Sequence, residues 1–140
     1  MIRYLIDTPL LAAGLFNRPV ALELLRPWIV GREAATSILS YGEVVEYIQP
    51  LPDFAGRHSQ LRDLLQRIRP YFLTYSVLRR YAALRLQLRP PQGPGLIGDI
   101  DTLIAATAIE RDLTIVTTDR DFERVPGLKV QMVQRNTLSR

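Results

Sequence analysis

Short β-favouring runs alternate with helix-spaced segments along the chain, which predicts an α/β domain with a parallel sheet covered by helices on both faces. Two further observations support that class. The 140 residues are 47% hydrophobic and 23% charged, enough apolar material for one core. The only Pro/Gly-rich stretch, Pro90–Gly95, is too short to separate two domains. Residues 1–140 therefore read as a single domain.

The elements follow in order. Ile2–Ile6 is an apolar, strand-like run that stops at Asp7-Thr8-Pro9, and helical spacing follows from Leu10 to Phe16. Thr8 is placed to cap that helix, with Pro9 at the first helical position, where its missing N–H is no loss. Asp7 thereby falls at a strand's carboxyl end. A second helix is predicted from about Pro19 to Ile29, with Leu22, Leu25 and Ile29 on one face. Glu33–Leu39 reads as the second strand, and Ser40 as the cap of a helix that Pro50 and Pro52 close. Asp53 caps a helix to about Arg69, with Phe54, Leu61, Leu65 and Ile68 on one stripe. Tyr71–Thr74 is strand-like, and Ser76 caps the next helix, where Val77, Tyr81, Leu84 and Leu88 keep helical spacing down to Arg89. Gly98-Asp99-Ile100-Asp101 opens a helix through Ile109. Leu113–Thr117 is a buried-type strand, Asp119–Phe122 a turn or short helix, and Lys129–Val133 the last strand.

Composition removes several chemistries. The absence of cysteine excludes disulfide scaffolds, thiolate-ligated metals and thiol nucleophiles, and a single histidine, His58, cannot build a His-pair site. His58 lies near the apolar stripe of its helix, which suits packing better than catalysis. No apolar run reaches membrane-spanning length and no leader pattern precedes the first strand, so the expectation is a cytoplasmic protein with no membrane partner. The net charge of +4 conceals a partition. Arg57–Arg89 holds eight arginines against the single acid Asp63, whereas the rest of the chain is net negative. Such a segregated arginine segment is the footprint of a polyanionic partner or simply a set of solvated helix faces.

In parallel α/β sheets, ligands bind beyond the strands' carboxyl ends. Asp7 follows the first strand, Glu43 lies in the turn of helix after the second, Asp99 and Asp101 open a helix, and Asp119 and Asp121 follow the fourth strand. Glu46 is one turn beyond Glu43. Seven of the fourteen acids thus converge on one edge. Carboxylates gathered in this way repel one another unless a cation neutralises them, and Mg²⁺ or Mn²⁺ is the hard cation that suits oxygen donors. Such ions can activate water for phosphodiester hydrolysis. The acids have other uses: Asp99 as a helix cap, Asp119 and Asp121 as turn formers, and Glu46 as an exposed helix residue. Asp7, which terminates an apolar strand, is the hardest of them to explain structurally. Thr117 and Thr118 are candidates for hydrogen bonds at the site or to the strand-end backbone.

Four motifs in order carry a resemblance: Tyr4-Leu5-Ile6-Asp7-Thr8; Thr36–Val44; Ile97–Ala108 with its Gly98-Asp99-Ile100-Asp101-Thr102-Leu103-Ile104-Ala105-Ala106 core; and Leu113–Leu128 with Thr117-Thr118-Asp119-Arg120-Asp121-Phe122. Together they resemble the PIN-domain ribonucleases of the VapC type over nearly the whole chain. The resemblance implies a three-layer PIN-like α/β/α sandwich with a mainly parallel sheet, and a Mg²⁺- or Mn²⁺-dependent endoribonuclease. It puts the family's acidic positions on Asp7, Glu43, Asp101 and Asp119, with Asp99, Asp121 and Glu46 as secondary acids. Asp7, Asp101 and Asp119 are then the expected metal ligands, with Glu43 orienting water or helping a second ion. It further implies a toxin acting on tRNA or other structured RNA, a VapB-type antitoxin partner and a homodimer. Arg85 is the leading candidate for contacting RNA or antitoxin; Arg79, Arg80, Arg89 and Thr117 are further ones. Pro9 departs from the family's usual Asn at that position. A housekeeping RNA-processing nuclease and a metal-free PIN-like scaffold are the alternative readings. A phosphoacceptor receiver domain fits poorly, because the only lysine, Lys129, stands at the start of the last strand.

Overall fold

In the computed structural model, which describes residues 1–140, the first strand to be made occupies the middle of the sheet. β1 (Tyr4–Ile6) is flanked by β2 (Ala34–Ser37) and β4 (Thr114–Thr117), with β3 (Arg69–Tyr71) and β5 (Lys129–Met132) at the edges. The order β3-β2-β1-β4-β5 is parallel at every pairing, so the expected mainly parallel sheet is wholly parallel. The chain moves outward from β1 to β3, then crosses back to place β4 on β1's other side. That reversal creates a switch point at the carboxyl ends of β1 and β4, the position at which such sheets leave room for a ligand.

Side-chain alternation in the strands assigns the two cores. Ile6 and Val116 face one way, into a cluster with Leu10, Leu25, Val44, Ile48 and Leu61 from α1 (Thr8–Leu15), α2 (Pro19–Val30), α3 (Ile38–Ile48) and α4 (Phe54–Arg67). Leu5 and Ile115 face the other, onto Val77, Leu84, Ile104 and Phe122 from α5 (Tyr75–Leu88), α6 (Asp99–Glu110) and the 3₁₀ turn Arg120–Arg124. Because β1 and β4 are covered on both faces, their residues read as continuous apolar runs. The result is a three-layer α/β/α sandwich.

Several boundaries differ from the sequence expectation, each for a local reason. Thr8 is the first residue of α1 and not its cap; Asp7 takes the cap position but makes no side-chain capping bond. β2 ends at Ser37, whose Oγ accepts from Leu39 N at 3.1 Å, so Ser37 caps α3 and Ser40 is buried inside that helix. α4 stops at Arg67 because Pro70 biases the preceding residue away from helical geometry, and β3 starts at Arg69 instead of Tyr71. Proline is tolerated there because β3 is an edge strand. Thr74, not Ser76, caps α5, and Gly98, not Asp99, precedes α6. Asp53 caps α4 as expected, in left-handed backbone at φ 58°. No helix is long and apolar enough to cross a membrane.

Candidate active site

The site assembles at the switch point, starting from Asp7. The end of β1 delivers this residue only 4% exposed, with its N–H donating to Val116 O at 3.0 Å and its carbonyl accepting from Leu11 N at 3.1 Å. Thr117, at the end of β4, links two of the acids. Its hydroxyl donates to Asp7 Oδ2 at 2.6 Å and accepts from Asp119 N at 3.0 Å. Asp119 in turn accepts from Asp121 N at 2.9 Å, which caps the following 3₁₀ turn. On the other side of β1, Thr8 Oγ1 donates to Glu43 Oε1 at 2.6 Å and lies 3.0 Å from Ser40 Oγ, tying α1 to α3. Local pattern gives Thr8 and Ser40 only capping roles, because their partners lie more than thirty residues away.

Electrostatics separates the predicted acids into groups. Burial pushes the Asp7 carboxyl above its ordinary range, reinforced by Glu43 and Asp119 and opposed by the bonds from Thr117 and the Thr8 backbone. Burial likewise raises Asp101, and repulsion from Asp7, Asp119, Glu43 and Asp121 brings it to about 7. Asp7, Glu43, Asp101, Asp119 and Asp121 thus feel one another. None of Asp7, Glu43, Asp101 or Asp119 has a cation within ion-pair distance. Two of the secondary acids are paired: Asp99 with Arg85 at 2.5 Å, also bonded by Tyr81, and Asp121 with Arg124 at 2.7 Å. Glu46 points from an exposed position of α3 and is not among the groups that shift Asp7 or Asp101.

The remaining sequence candidates are dispersed. Arg85 is half-buried against Asp99 and the Tyr81 ring, so it joins α5 to the start of α6 instead of standing free. Arg79 on α5 and Arg89 just beyond its end are exposed, and Arg80 pairs with Glu110 at 3.3 Å. His58 bonds the Tyr41 hydroxyl at 2.8 Å and packs on Phe54.

The donor set suits a hard divalent cation. Four mutually repelling carboxylates without an intramolecular counter-ion present only oxygen ligands, and the buried hydroxyl of Thr118, next in sequence to Thr117 and Asp119, has no hydrogen-bond partner. No three acidic side chains are placed to hold an ion on their own. One or two carboxylates with retained waters is the coordination Mg²⁺ commonly takes.

Comparison with known proteins extends these observations. The PIN domain family model matches residues 4–128. No curated protein matches the chain in sequence. Among solved structures, the chain superposes on one from "VapBC2 from Rickettsia felis bound to a DNA fragment from their promoter". The TM-score is 0.82 at 24% identity, covering 96% of this chain and 100% of that one. A DNA-bound VapBC from Salmonella typhimurium matches with TM-score 0.83 at 19% identity, covering 94% and 98% of the two chains. FitAcB from Neisseria gonorrhoeae matches with TM-score 0.72 at 21% identity, covering 91% and 95%.

Proposed function

The chain belongs to the PIN-domain family, and from that premise we propose that it is a metal-dependent endoribonuclease, the toxin of a VapBC-type toxin–antitoxin module. The observation that carries the proposal is the uncompensated carboxylate cluster at the switch point, Asp7, Glu43, Asp101 and Asp119, in which Asp101 is raised to about 7 with no cation beside it. The similarity to chains of VapBC complexes supports the toxin assignment and a VapB-type partner.

In the mechanism, Asp7, Asp101 and Asp119 would hold Mg²⁺ or Mn²⁺, directly or through water. The bound ion supplies charge neutralisation for the scissile phosphate and acidifies water. Thr117 orients Asp7 and the Asp119 backbone together, so the β4 end sets the spacing of two ligands from one hydroxyl. Thr8 holds Glu43 across the sheet, where its free oxygen can accept a proton from the attacking water. Arg85 secures Asp99 and thereby the first turn of α6, which presents Asp101. No protein nucleophile is needed. The substrate we assign is tRNA or another structured RNA, in the cytoplasm. α5 leaves Tyr75, Leu78 and Leu86 exposed, an apolar strip that we assign to a homodimer contact.

The purified protein should cut RNA with Mg²⁺ or Mn²⁺ and stop on addition of EDTA. Asp7→Asn or Asp101→Asn should each lower the rate at least about 100-fold. Metal-independent cleavage, or full activity in Asp101→Asn, would sink the mechanism. Induced expression should arrest growth, and co-expression of a VapB-type partner should relieve it. An active nuclease harmless at high level would instead belong to RNA processing.

A further inference from the structure

Two adjoining cavities run along the open edge of the sheet, away from the carboxylates. The larger, about 640 Å³, lies at the amino ends of β2 and β3 and is bordered by Arg32, Arg67 and Arg69 over an apolar floor that includes Ile2 and Tyr71. The second, about 380 Å³, shares Gln66 and Pro70 with the first and continues to Ile38, Tyr41, Arg62 and Phe72 at the carboxyl end. Together they form one trough over β3, about 13 Å along the four residues of β2. It ends at the first turn of α3, the helix that carries Glu43.

Three features of this trough point to one ligand class. No Asp or Glu lines either cavity. Arg32, Arg62, Arg67 and Arg69 take part in no ion pair; the acids that do pair, Asp99, Glu110, Asp112, Asp121 and Glu123, are all engaged with other cations. Phe72 lies 67% exposed beside the second cavity, a flat ring with nothing stacked on it. Arg67 closes α4 and Arg32 follows α2, so helix-end charge complementarity explains one cation at each terminus. It does not explain why both border the same acid-free cavity with Arg69 from the edge strand. Arg32 is moreover held in left-handed backbone at φ 54°, fixed by its N–H to Ile29 O at 3.1 Å.

Alternating cations and an exposed ring along an open groove are what single-stranded nucleic acid binding uses: phosphates on arginines and bases on aromatic faces. We propose that this trough is a track for a single-stranded segment of the RNA substrate that flanks the cleavage position and leads it to the carboxylates. The proposal rests on the nuclease reading above, and it names how the substrate is held beyond the reacting phosphate.

The test measures RNA affinity, separately from cleavage, by fluorescence anisotropy in the full chain carrying Asp101→Asn. The probes are unstructured RNAs of about 12 and about 4 nucleotides, of which the longer reaches well past both ends of the trough. The variant Arg32→Gln/Arg67→Gln/Arg69→Gln should bind the longer RNA at least about 10-fold more weakly, with the log–log salt slope shallower by about 2. Phe72→Ala should weaken it at least about fivefold with the slope unchanged. Arg26→Gln/Arg135→Gln/Arg140→Gln, which removes equal charge outside the trough, should stay within about twofold. Lysine at the three trough positions should restore most of the affinity, separating charge from misfolding.

Unchanged affinity of the glutamine variant for the longer RNA would overturn the track while leaving the nuclease reading intact if the wild type cuts RNA. Loss of a protein partner with RNA affinity preserved would overturn it as well, making the trough a protein-docking face. Should the wild type show no metal-dependent cleavage while the trough variants still lose RNA affinity, the nuclease reading fails and takes with it the assignment of the bound strand as substrate, while RNA binding by the trough is upheld.

Discussion

Asp101 works against the fold so that it can serve the site. Its carboxyl ordinarily titrates near 3.8 and is raised to about 7 by burial and by four neighbouring acids. Between those two values the folded state binds more protons than the unfolded one, so this residue's effect on stability declines as pH rises from about 4 to about 7 and is level on either side. Without metal, Asp101→Asn should therefore melt higher than the wild type at about pH 7.5 and show a flatter dependence of melting temperature on pH, as scanning calorimetry in EDTA will measure. An unaltered pH profile would contradict the repulsion described at the site. Thr117 carries a different burden. Thr117→Val removes the donor to Asp7 and the acceptor for Asp119 N, so urea titration should show a loss of about 1–3 kcal/mol, and Thr117→Ser should recover most of it. The carboxylates were legible in the sequence because strand ends and helix starts mark themselves. Their pairing was not, since Arg85 and Arg124 reach Asp99 and Asp121 by side-chain geometry that spacing does not encode. The same holds for Thr8, whose hydroxyl finds Glu43 across a sheet.

At the scale of elements, all six helices and five strands were anticipated, but the ends were displaced by one to three residues wherever two capping residues compete. Ser37 and Ser40, and Thr74 and Ser76, are such pairs, and in both the earlier residue caps because its backbone is extended while the later one is already helical. This yields a direct check: Thr74→Ala should cost about 1 kcal/mol by chemical denaturation, whereas Ser76→Ala, exposed and within the helix, should stay within about 0.5 kcal/mol. Equal effects would mean that the helix starts elsewhere. β3 shows a second source of displacement. Its strand pairing is imposed by β2, with Thr36 opposite Pro70, and the more strand-like residues Phe72 and Leu73 are left beyond the sheet. Tertiary pairing outweighed local propensity there, and the exposed Phe72 ring is the consequence.

For the whole molecule, alternation revealed the layers and the parallel sheet but not the strand order. That order depends on which strands pair across the chain, and it decides that β1 is central and that β3 leaves an open edge. The acidic edge could be read from sequence; the trough along β3 could not, because Arg32 comes from outside the arginine-rich segment and joins it only through the fold. The central position of β1 also governs when the site comes into being. Asp7 and Thr117 stand 110 residues apart, and nothing before β4 can supply the Thr117 hydroxyl or Asp119. At about 5–20 residues per second, a ribosome takes roughly 5–22 s to travel from one to the other. A nascent chain therefore cannot assemble the carboxylate site until β4 and the turn that follows it have been made.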